Sequence, residues 1–183
     1  MLTAPRHLST VELEHGLPEV LASPRESGLL VAIVVRPATN ERRVVPAAEV
    51  SPEMGIEGDR WVEEDAADPN GQVSLMNARF LRQIAGVEDA VPLAGDNLIV
   101  DLDLSEENLP PGSRIAIGEN VVVEINGEPH TGCSKFQNRY GADARKFMNN
   151  ERGMQLHLRG RYGSIITGGQ IAVGDKVRKI SPA

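Results

Sequence analysis

The sequence contains a single cysteine, Cys133, among 183 residues. An internal disulfide is therefore excluded, and the composition is typical of a protein from a reducing compartment. The first 20 residues lack an apolar core of signal-peptide length and carry three glutamates. The most apolar run, at 29–35, is far shorter than the ~20 residues that cross a bilayer. We therefore expect a cytoplasmic protein without a membrane span.

The chain also lacks an excess of positive charge. Its formal net charge is −7, which argues against a protein that coats nucleic acid, because duplex binding requires many lysines and arginines to neutralise phosphates. The charge is uneven, since residues 135–161 hold seven basic and two acidic side chains, a balance of +5 against −12 elsewhere. This segment follows Cys133 directly and predicts either a local anion site or a solvated helix face with ordinary ion pairs.

Several sequence motifs are missing. Neither GxxxxGK[ST] nor GxGxxG occurs, so no sequence motif indicates nucleotide binding. A zinc site at His130 and Cys133 would need two further ligands, and a Cys–His hydrolase would need an imidazole that sequence neighbours seldom place correctly. The chain has no four-cysteine iron–sulfur pattern and no flavin motif, so redox chemistry would require a separate electron donor.

Short strand patterns dominate the chain and predict one mostly β domain, as an antiparallel sheet or barrel. We expect an N-terminal extension over 1–28, whose short helix begins at the Ser9–Glu12 capping box and stops at Gly16, and the β domain over 29–183. An acidic loop is predicted at 62–70, and hairpin turns at 118–120 and 168–169. Strands are expected at 29–35, 43–45, 48–50, 72–76, 98–102, 114–117, 121–125, 164–166 and 176–180, and further helices at 78–85 and 141–150.

Cys133 lies in the segment Glu128-Pro-His-Thr-Gly-Cys-Ser-Lys-Phe136, directly after a predicted strand. Loops held by a rigid sheet are where reactive groups concentrate. His130 or Lys135, as a nearby cation, can lower the thiol pKa and enrich the thiolate, which is the nucleophile and the metal ligand. Gly132 leaves room for a large ligand. A lone cysteine is also often a small buried hydrophobe, so a reactive role and a packing role both stay open.

Four segments in order carry a resemblance to a known family. They are Gly55-Ile-Glu-Gly-Asp-Arg60, Gly95-Asp-Asn-Leu-Ile-Val100, Pro129-His-Thr-Gly-Cys-Ser-Lys-Phe136 and Gly168-Gly-Gln-Ile-Ala-Val-Gly-Asp-Lys-Val177. Together they resemble the MOSC family, named for the C-terminal domain of molybdenum cofactor sulfurases, in the form of a stand-alone bacterial-type member. The resemblance implies a MOSC-like β-barrel with a few short peripheral helices, which binds the molybdenum cofactor (molybdopterin) or its sulfur.

The resemblance also implies roles for individual residues. Cys133 falls where the family has its cysteine and inherits the role of catalytic residue and molybdenum ligand, or of sulfur carrier. Asn97 corresponds to a family asparagine near the cofactor. Asp59 and Arg60 match the family's Gly-Asp-Arg turn, but Trp61 and an acidic loop replace the histidine-glycine-glycine element that often follows, which indicates a divergent subgroup.

A pterin cofactor carries a phosphate, which arginine and lysine bind through charge-assisted hydrogen bonds. Besides Asn97, the cofactor-binding candidates are therefore His130, Thr131, Lys135, Arg139, Arg159 and Arg161, and Arg145, Lys146 and Arg152 belong to the same basic segment. His157 and Tyr162 are either pocket or packing residues. Asp96 and Asp175 lie beside glycines and are expected to cap turns.

Two functional forms follow from the resemblance. In one, Cys133 holds molybdenum, and a small N-hydroxylated or related substrate is reduced with electrons from a separate redox protein. In the other, Cys133 is a persulfide sulfur carrier that is loaded by a cysteine desulfurase-like donor. The alternative is a non-catalytic binding module that keeps the barrel and an anion pocket. Neither nucleic acid nor a membrane is expected as a partner.

Overall fold

The chain alternates short strands with short helices. The computed structural model describes residues 5–63, 68–86 and 88–180, so residues 1–4 of the predicted extension and 64–67 of the predicted acidic loop lie outside the described residues. Within these ranges the strands are β1 Ser27–Val35, β2 Arg43–Val45, β3 Ala47–Ser51, β4 Gly55–Ile56, β5 Val73–Asn77, β6 Leu98–Asp101, β7 Arg114–Ile117, β8 Val121–Ile125, β9 Arg161–Thr167, β10 Gly169–Ala172 and β11 Lys176–Ile180. The α-helices are α1 Thr10–Leu21, α2 Ala78–Ala85, α3 Ser134–Tyr140, α4 Ala142–Asn149 and α5 Glu151–Gln155.

Seven strands close into a barrel. The order of hydrogen-bonded neighbours is β11, β7, β8, β9, β5, β6 and β1, and β1 pairs back onto β11. Among the described strands of the barrel only β5 and β6 pair in parallel, and β2 extends the sheet beyond β1. Aliphatic side chains such as Leu30, Val123 and Val177 fill the interior. The predicted β-barrel with short helices around it is confirmed.

A small second sheet lies beside the barrel, with the strand order β10, β3, β4. The predicted hairpin at 168–169 is wrong, because β10 pairs with β3 instead of folding back on β9. Gly168 packs against the backbone of β3, where a Cβ atom would lie 2.6 Å from the Val50 carbonyl oxygen. The two glycines therefore let the chain pass closely from one sheet to the other. The hairpin at 118–120 is confirmed, since Ile117 pairs with Val121.

The helices cover one side of the barrel around a second apolar cluster. Helix α2 has the predicted bounds 78–85: Asn77 caps it through hydrogen bonds from the N–H groups of Arg79 and Phe80, and Gly86 ends it in the left-handed region. The Ser9–Glu12 capping box also starts α1 as predicted. The predicted stop at Gly16 is wrong.

Helix α1 runs on to Leu21 through Gly16 and Pro18. The residues that bury its inner face, Leu13, Leu17 and Val20, lie on both sides of the glycine. Burial of this stripe against α2 outweighs the weak helix propensity of a single glycine, which costs only ~1 kcal/mol. No helix in the described part of the chain is long and apolar enough to cross a membrane.

The start of β9 requires a glycine at position 160. Gly160 has a φ of +101°, and a Cβ atom there would contact the carbonyl oxygen of Leu75 on β5. We expect Gly160→Ala to lower the free energy of unfolding by about 2–4 kcal/mol, because backbone strain and overpacking each cost ~1–3 kcal/mol. Gly174→Ala is the matched control, since Gly174 has a φ of +95° but no described atom within 4 Å of its Cβ position. Urea denaturation measures the free energy of unfolding of both variants. Equal losses in the two variants would contradict a clash between the new Cβ atom at position 160 and the Leu75 carbonyl oxygen.

Candidate functional site

The cysteine loop connects β8 to α3 and is held in place by α4. The Gly132 N–H donates to Asn149 Oδ1 at 2.9 Å, and the Gly132 carbonyl accepts from Arg145 Nε at 2.9 Å and Asn149 Nδ2 at 3.2 Å. A Cβ atom at position 132 would lie 2.9 Å from the Met148 sulfur. The glycine therefore allows the loop to pack on α4, and its neighbour Cys133 is left exposed at the start of α3.

Helix α3 was not predicted from the sequence. Its residues Phe136 and Tyr140 are buried in the apolar cluster under the helices. Their rings pack against each other, with centroids 4.6 Å apart. This tertiary contact, rather than a local helix signal, accounts for the helix, and it gives Cys133 a fixed position.

The Cys133 thiol has a lowered pKa. Partial burial acts to raise the pKa, but the backbone N–H groups of Phe136 and Lys135 and the positive charge of Arg159 outweigh it. The charged side chain that acts on the thiol is thus Arg159, which lies 26 residues further along the chain. His130 does not act as a cation, because burial and the charges of Arg159 and Arg36 lower its pKa to about 2.

Thiol reactivity should report this environment. We expect alkylation of Cys133 by iodoacetamide to reach half its maximal rate at a lower pH in the folded protein than in the urea-unfolded chain. The reason is that the thiolate is the reactive species, and a lowered pKa populates it at lower pH. The unfolded chain should titrate near the usual ~8.5. Mass spectrometry of samples quenched across a pH series gives both profiles, and a folded profile displaced to higher pH would show that burial dominates.

A buried ion pair lies behind the cysteine loop. Arg159 Nη1 donates to both carboxylate oxygens of Asp96, at 2.8 and 2.6 Å, and its guanidinium lies over the Phe136 ring, 5.1 Å from the centroid. Asp96 is 1% exposed and Arg159 is 8% exposed. Burial raises the pKa of Asp96, and Arg159 opposes this shift. The expectation that Asp96 caps a turn is therefore wrong, whereas Asp175 does cap one through the Ala172 N–H.

His130 packs between this pair and Tyr162. The His130 and Tyr162 rings stack, with centroids 4.2 Å apart, and His130 Nδ1 lies 3.6 Å from Asp96 Oδ1, which is too long for a hydrogen bond. Within the described ranges, neither His130 Nδ1 nor Arg159 Nε has a hydrogen-bond partner, although both are buried. Such atoms normally find a hydrogen-bond partner in a protein or in a ligand. These two nitrogen atoms are therefore candidates for hydrogen bonds with a ligand.

Asn97 belongs to a closed hydrogen-bond network. Its Oδ1 accepts from the Ser74 N–H and hydroxyl, both at 3.1 Å, and its Nδ2 donates to the Val34 carbonyl at 3.2 Å and to Asp59 Oδ2 at 2.9 Å. Asp59 in turn accepts a bidentate pair of bonds from Arg36 at 2.9 and 3.0 Å. Both ends of the Asn97 amide are thus used within the fold, where this side chain positions Asp59 and, through it, Arg36.

The remaining candidates divide into exposed and structural side chains. Thr131 and Lys135 are exposed beside Cys133. Arg139 donates to the Leu93 carbonyl at 2.6 Å. Arg161 is only 1% exposed and belongs to a different cluster, in which it donates to Glu106 at 3.2 Å. Lys146 and Arg152 of the basic segment are exposed.

A pocket of about 320 Å³ opens next to the cysteine loop. Its lining includes Arg36, Trp61, Pro129 and Tyr162, so Tyr162 is a pocket residue as well as the stacking partner of His130. His157 lies elsewhere, with its Nε2 2.7 Å from Glu106 Oε2. The pocket is of the size that holds a small molecule, at the lower end of the usual ~300–1,000 Å³.

Arg36 and Asp96 were not among the sequence-derived site residues. Arg36 ends the strongest strand pattern of the chain, and Asp96 precedes Asn97 in the second of the four family-like segments. A charged residue at the end of a buried strand is a signal that could have identified Arg36. The pairing of Asp96 with Arg159 joins residues 63 positions apart, and no local pattern predicts such a contact.

Comparisons with known proteins agree with this architecture. The sequence model of the MOSC domain matches residues 66–178. The structure is similar to that of the YuaD protein from Bacillus subtilis, at 17% identity and a TM-score of 0.62, over 88% of this chain and 100% of that one. It is also similar to YiiM from Escherichia coli, at 18% identity and a TM-score of 0.56, over 85% of this chain and 71% of that one. A comparison with curated protein sequences gives no significant match. At these identities the structural matches show a shared fold.

Proposed function

Because the chain belongs to the MOSC domain family, we propose that it holds the molybdenum–pterin cofactor, with the Cys133 thiolate as the protein's ligand to the metal. The observation that carries the proposal is the exposed position of Cys133 together with its lowered pKa. A thiolate is the ligating form of cysteine, and it is a soft ligand that suits such a metal.

The other residues of the site fit such a group. In the residues that the structure describes, no three His, Cys, Asp or Glu side chains are placed to hold a metal ion. A metal would therefore depend on one protein thiolate and on ligands that the cofactor itself provides. Arg159 Nε and His130 Nδ1, which have no hydrogen-bond partner within the described ranges, lie in the same region and would offer polar contacts to a ligand.

When bound, the cofactor supplies the two-electron reduction of a small N-hydroxylated or related substrate, with electrons from a separate redox protein. The chain's own residues position the bound groups and set the charge of the thiol. Arg159 favours the anionic thiolate, and neutral His130 with Tyr162 presents a stacked aromatic wall. The pocket that Arg36 and Tyr162 line is our candidate for the substrate site.

The test is the metal content of protein purified from molybdenum-replete cells. We expect near-stoichiometric molybdenum and pterin in the wild type. In Cys133→Ser we expect a loss of bound molybdenum of about 100-fold, since even losing a second-shell partner costs ~10–100-fold in metal affinity. Ser134→Ala, at the neighbouring exposed position, is the matched control and should keep its metal. Wild-type protein without molybdenum or pterin, despite adequate cofactor supply, would exclude the metalloenzyme and favour a non-catalytic binding module.

A second candidate function, a persulfide carrier, is favoured by the exposure of Cys133. A sulfur donor of the cysteine desulfurase type needs direct access to the acceptor thiol, and attack by that thiol depends on its thiolate form. In this step the Cys133 thiolate attacks the outer sulfur of the donor's cysteine persulfide, the donor's S–S bond breaks and its thiolate leaves. Incubation with a persulfide-loaded donor should therefore add one sulfur atom to Cys133, which intact mass spectrometry detects and cyanide removes. Both forms require a reduced thiol, and we propose the cytoplasm as the compartment.

A further inference from the structure

The helices α3, α4 and α5 carry positive charge that ion pairs do not balance. Their five basic residues, which we call the α3–α5 cations, are Lys135, Arg139, Arg145, Lys146 and Arg152. None of the five forms an ion pair with a carboxylate in the part of the chain that the structure describes, whereas nine other lysines and arginines do. The α3–α5 cations are therefore an exception to the ion pairing found elsewhere in the fold.

The two acidic residues of these helices leave much of this charge uncompensated. Asp143 Oδ2 accepts a hydrogen bond from the Thr10 N–H at 3.1 Å, so this carboxylate faces the start of α1. Glu151 is exposed at the first position of α5. The whole chain has a formal net charge of −7. A positively charged surface on an otherwise acidic protein favours association with a negatively charged partner.

Arg145 is held in a fixed position by neutral acceptors. Its Nε donates to the Gly132 carbonyl and its Nη1 donates to Gln137 Oε1, each at 2.9 Å. Arg139 likewise donates to the Leu93 carbonyl at 2.6 Å. Neutral acceptors fix the orientation of a guanidinium without cancelling its charge. Because these side chains are already ordered, an anionic group that binds them costs little side-chain entropy.

A cavity of about 340 Å³ opens between α3 and α4, beside the cysteine loop. It is lined by Gln137, Arg145, Lys146, Asn149 and Asn150. Arg145 and Asn149 also hold Gly132, the residue before the exposed Cys133, so the cavity and the thiol belong to the same part of the surface. A side chain that enters the cavity meets the guanidinium of Arg145 and the exposed side chain of Lys146. Arginine in such a pocket is typical of the residues that dominate binding energy at protein interfaces.

We propose that the surface around this cavity is the docking site for an acidic electron-transfer protein, with a carboxylate side chain of that protein placed against Arg145 and Lys146. The partner's role rests on the proposed function, because a metal held by Cys133 needs electrons and the chain has no iron–sulfur pattern or flavin motif of its own. Reduction of an N–OH group to N–H takes two electrons from the partner and two protons from solvent, and it releases one water molecule. Electrostatic steering draws a partner of opposite charge to this surface.

Association of the full-length protein with two acidic probes, a [2Fe–2S] ferredoxin and a flavodoxin, tests the proposal. Biolayer interferometry on protein from molybdenum-replete cells measures the association rate. We expect saturable binding of at least one probe at an ionic strength of ~0.01 M and much slower association at ~0.15 M, because the Debye length falls from ~30 to ~8 Å. Cytochrome c, a basic electron-transfer protein, should not bind. If neither acidic probe binds, the proposal is wrong.

Lys146→Glu is the informative variant, because Lys146 lines the cavity and its side chain is exposed. Charge reversal replaces an attraction by a repulsion, and we expect association about three- to tenfold slower than in the wild type at ~0.01 M ionic strength. Lys176→Glu is the matched control, since it makes the same charge change at an exposed lysine of β11. Strand β11 lies across the barrel from β5, on which the helices pack. Equal slowing in both variants would indicate a response to net charge alone and would overturn the proposal.

Metal content separates this inference from the proposed function. Lys146→Glu should retain the wild-type molybdenum content, whereas a loss of molybdenum would place Lys146 at the cofactor and overturn the docking site. Cys133→Ser should lose molybdenum yet bind the acidic probe as the wild type does. Wild-type protein that lacks molybdenum but still shows Lys146-dependent binding would refute the metal site alone. Lys146-dependent binding of a single-stranded oligonucleotide, in place of the acidic proteins, would indicate a nucleic-acid surface and contradict the proposal.

Discussion

Replacing Arg159 with methionine is expected to lower the free energy of unfolding by about 3–5 kcal/mol, the usual cost of leaving one member of a buried ion pair alone. Asp96 is 1% exposed and both of its carboxylate oxygens accept hydrogen bonds from Arg159. Methionine keeps much of the arginine stem but has no donor for these oxygens. Urea denaturation at neutral pH measures the loss.

Two companion variants separate the ion pair from general effects of the substitution. Arg152→Met removes an exposed arginine and should change stability by less than ~0.5 kcal/mol. The double variant Asp96→Asn/Arg159→Met removes both charges, and we expect it to recover a large part of the loss, because the uncompensated buried carboxylate is gone. A double variant as unstable as Arg159→Met would show that the packing of Arg159 on Phe136 is what matters.

The second large effect is expected for Asn97→Asp. The change places a carboxylate where Asn97 Nδ2 now donates to Asp59 Oδ2 at 2.9 Å and to the Val34 carbonyl at 3.2 Å. Two hydrogen bonds become repulsive contacts between acceptors, in a residue that is 1% exposed. We expect a loss of about 3–5 kcal/mol at neutral pH, as for an uncompensated buried charge.

The pH dependence of this loss has a defined sign. Burial and the neighbouring Asp59 carboxylate will raise the pKa of the new carboxyl in the folded state above its unfolded value of ~3.9. The destabilisation should therefore be complete above the raised folded pKa and should disappear as the pH falls below the unfolded one. Asn138→Asp, at an exposed position on α3, is the control. If the free energies of unfolding of Asn97→Asp and the wild type ran parallel across this pH range, the predicted role of the Asn97 hydrogen-bond network would be contradicted.

Local sequence signals were sufficient to predict most of the elements that form the barrel. The predicted strands at 29–35 and 121–125 and the predicted helix at 78–85 correspond to elements that the structure contains. In each case the hydrogen-bond pattern or the burial pattern is set by residues within a few positions of each other. The four family-like segments, whose order is a property of the whole chain, identified the family that the comparison matches.

The partners of the arginines in the basic segment 135–161 could not be predicted from local sequence signals. Its arginines are bound to different acceptors: Arg145 to the Gly132 carbonyl, Arg159 to Asp96 and Arg161 to Glu106. Arg42, whose buried Nε has no hydrogen-bond partner among the described residues, lies outside the segment. A count of charges along the chain therefore located an excess of positive charge but not the acceptor to which each arginine is bound.

The sequence by itself determined the seven strands of the barrel, the helix α2 and the position of the one cysteine beside a glycine, because propensity, capping and turn chemistry act over a few residues. Only the tertiary structure decided which charges meet. Asp96 reaches Arg159 across 63 positions, and Asn97 reaches Asp59 across 38. These pairs depend on how the closed barrel brings β1, β6 and the segment before β9 together, and on which groups burial then forces to find partners. The lowered pKa of Cys133, and the lack of a partner for Arg42 Nε among the described residues, are consequences of that packing.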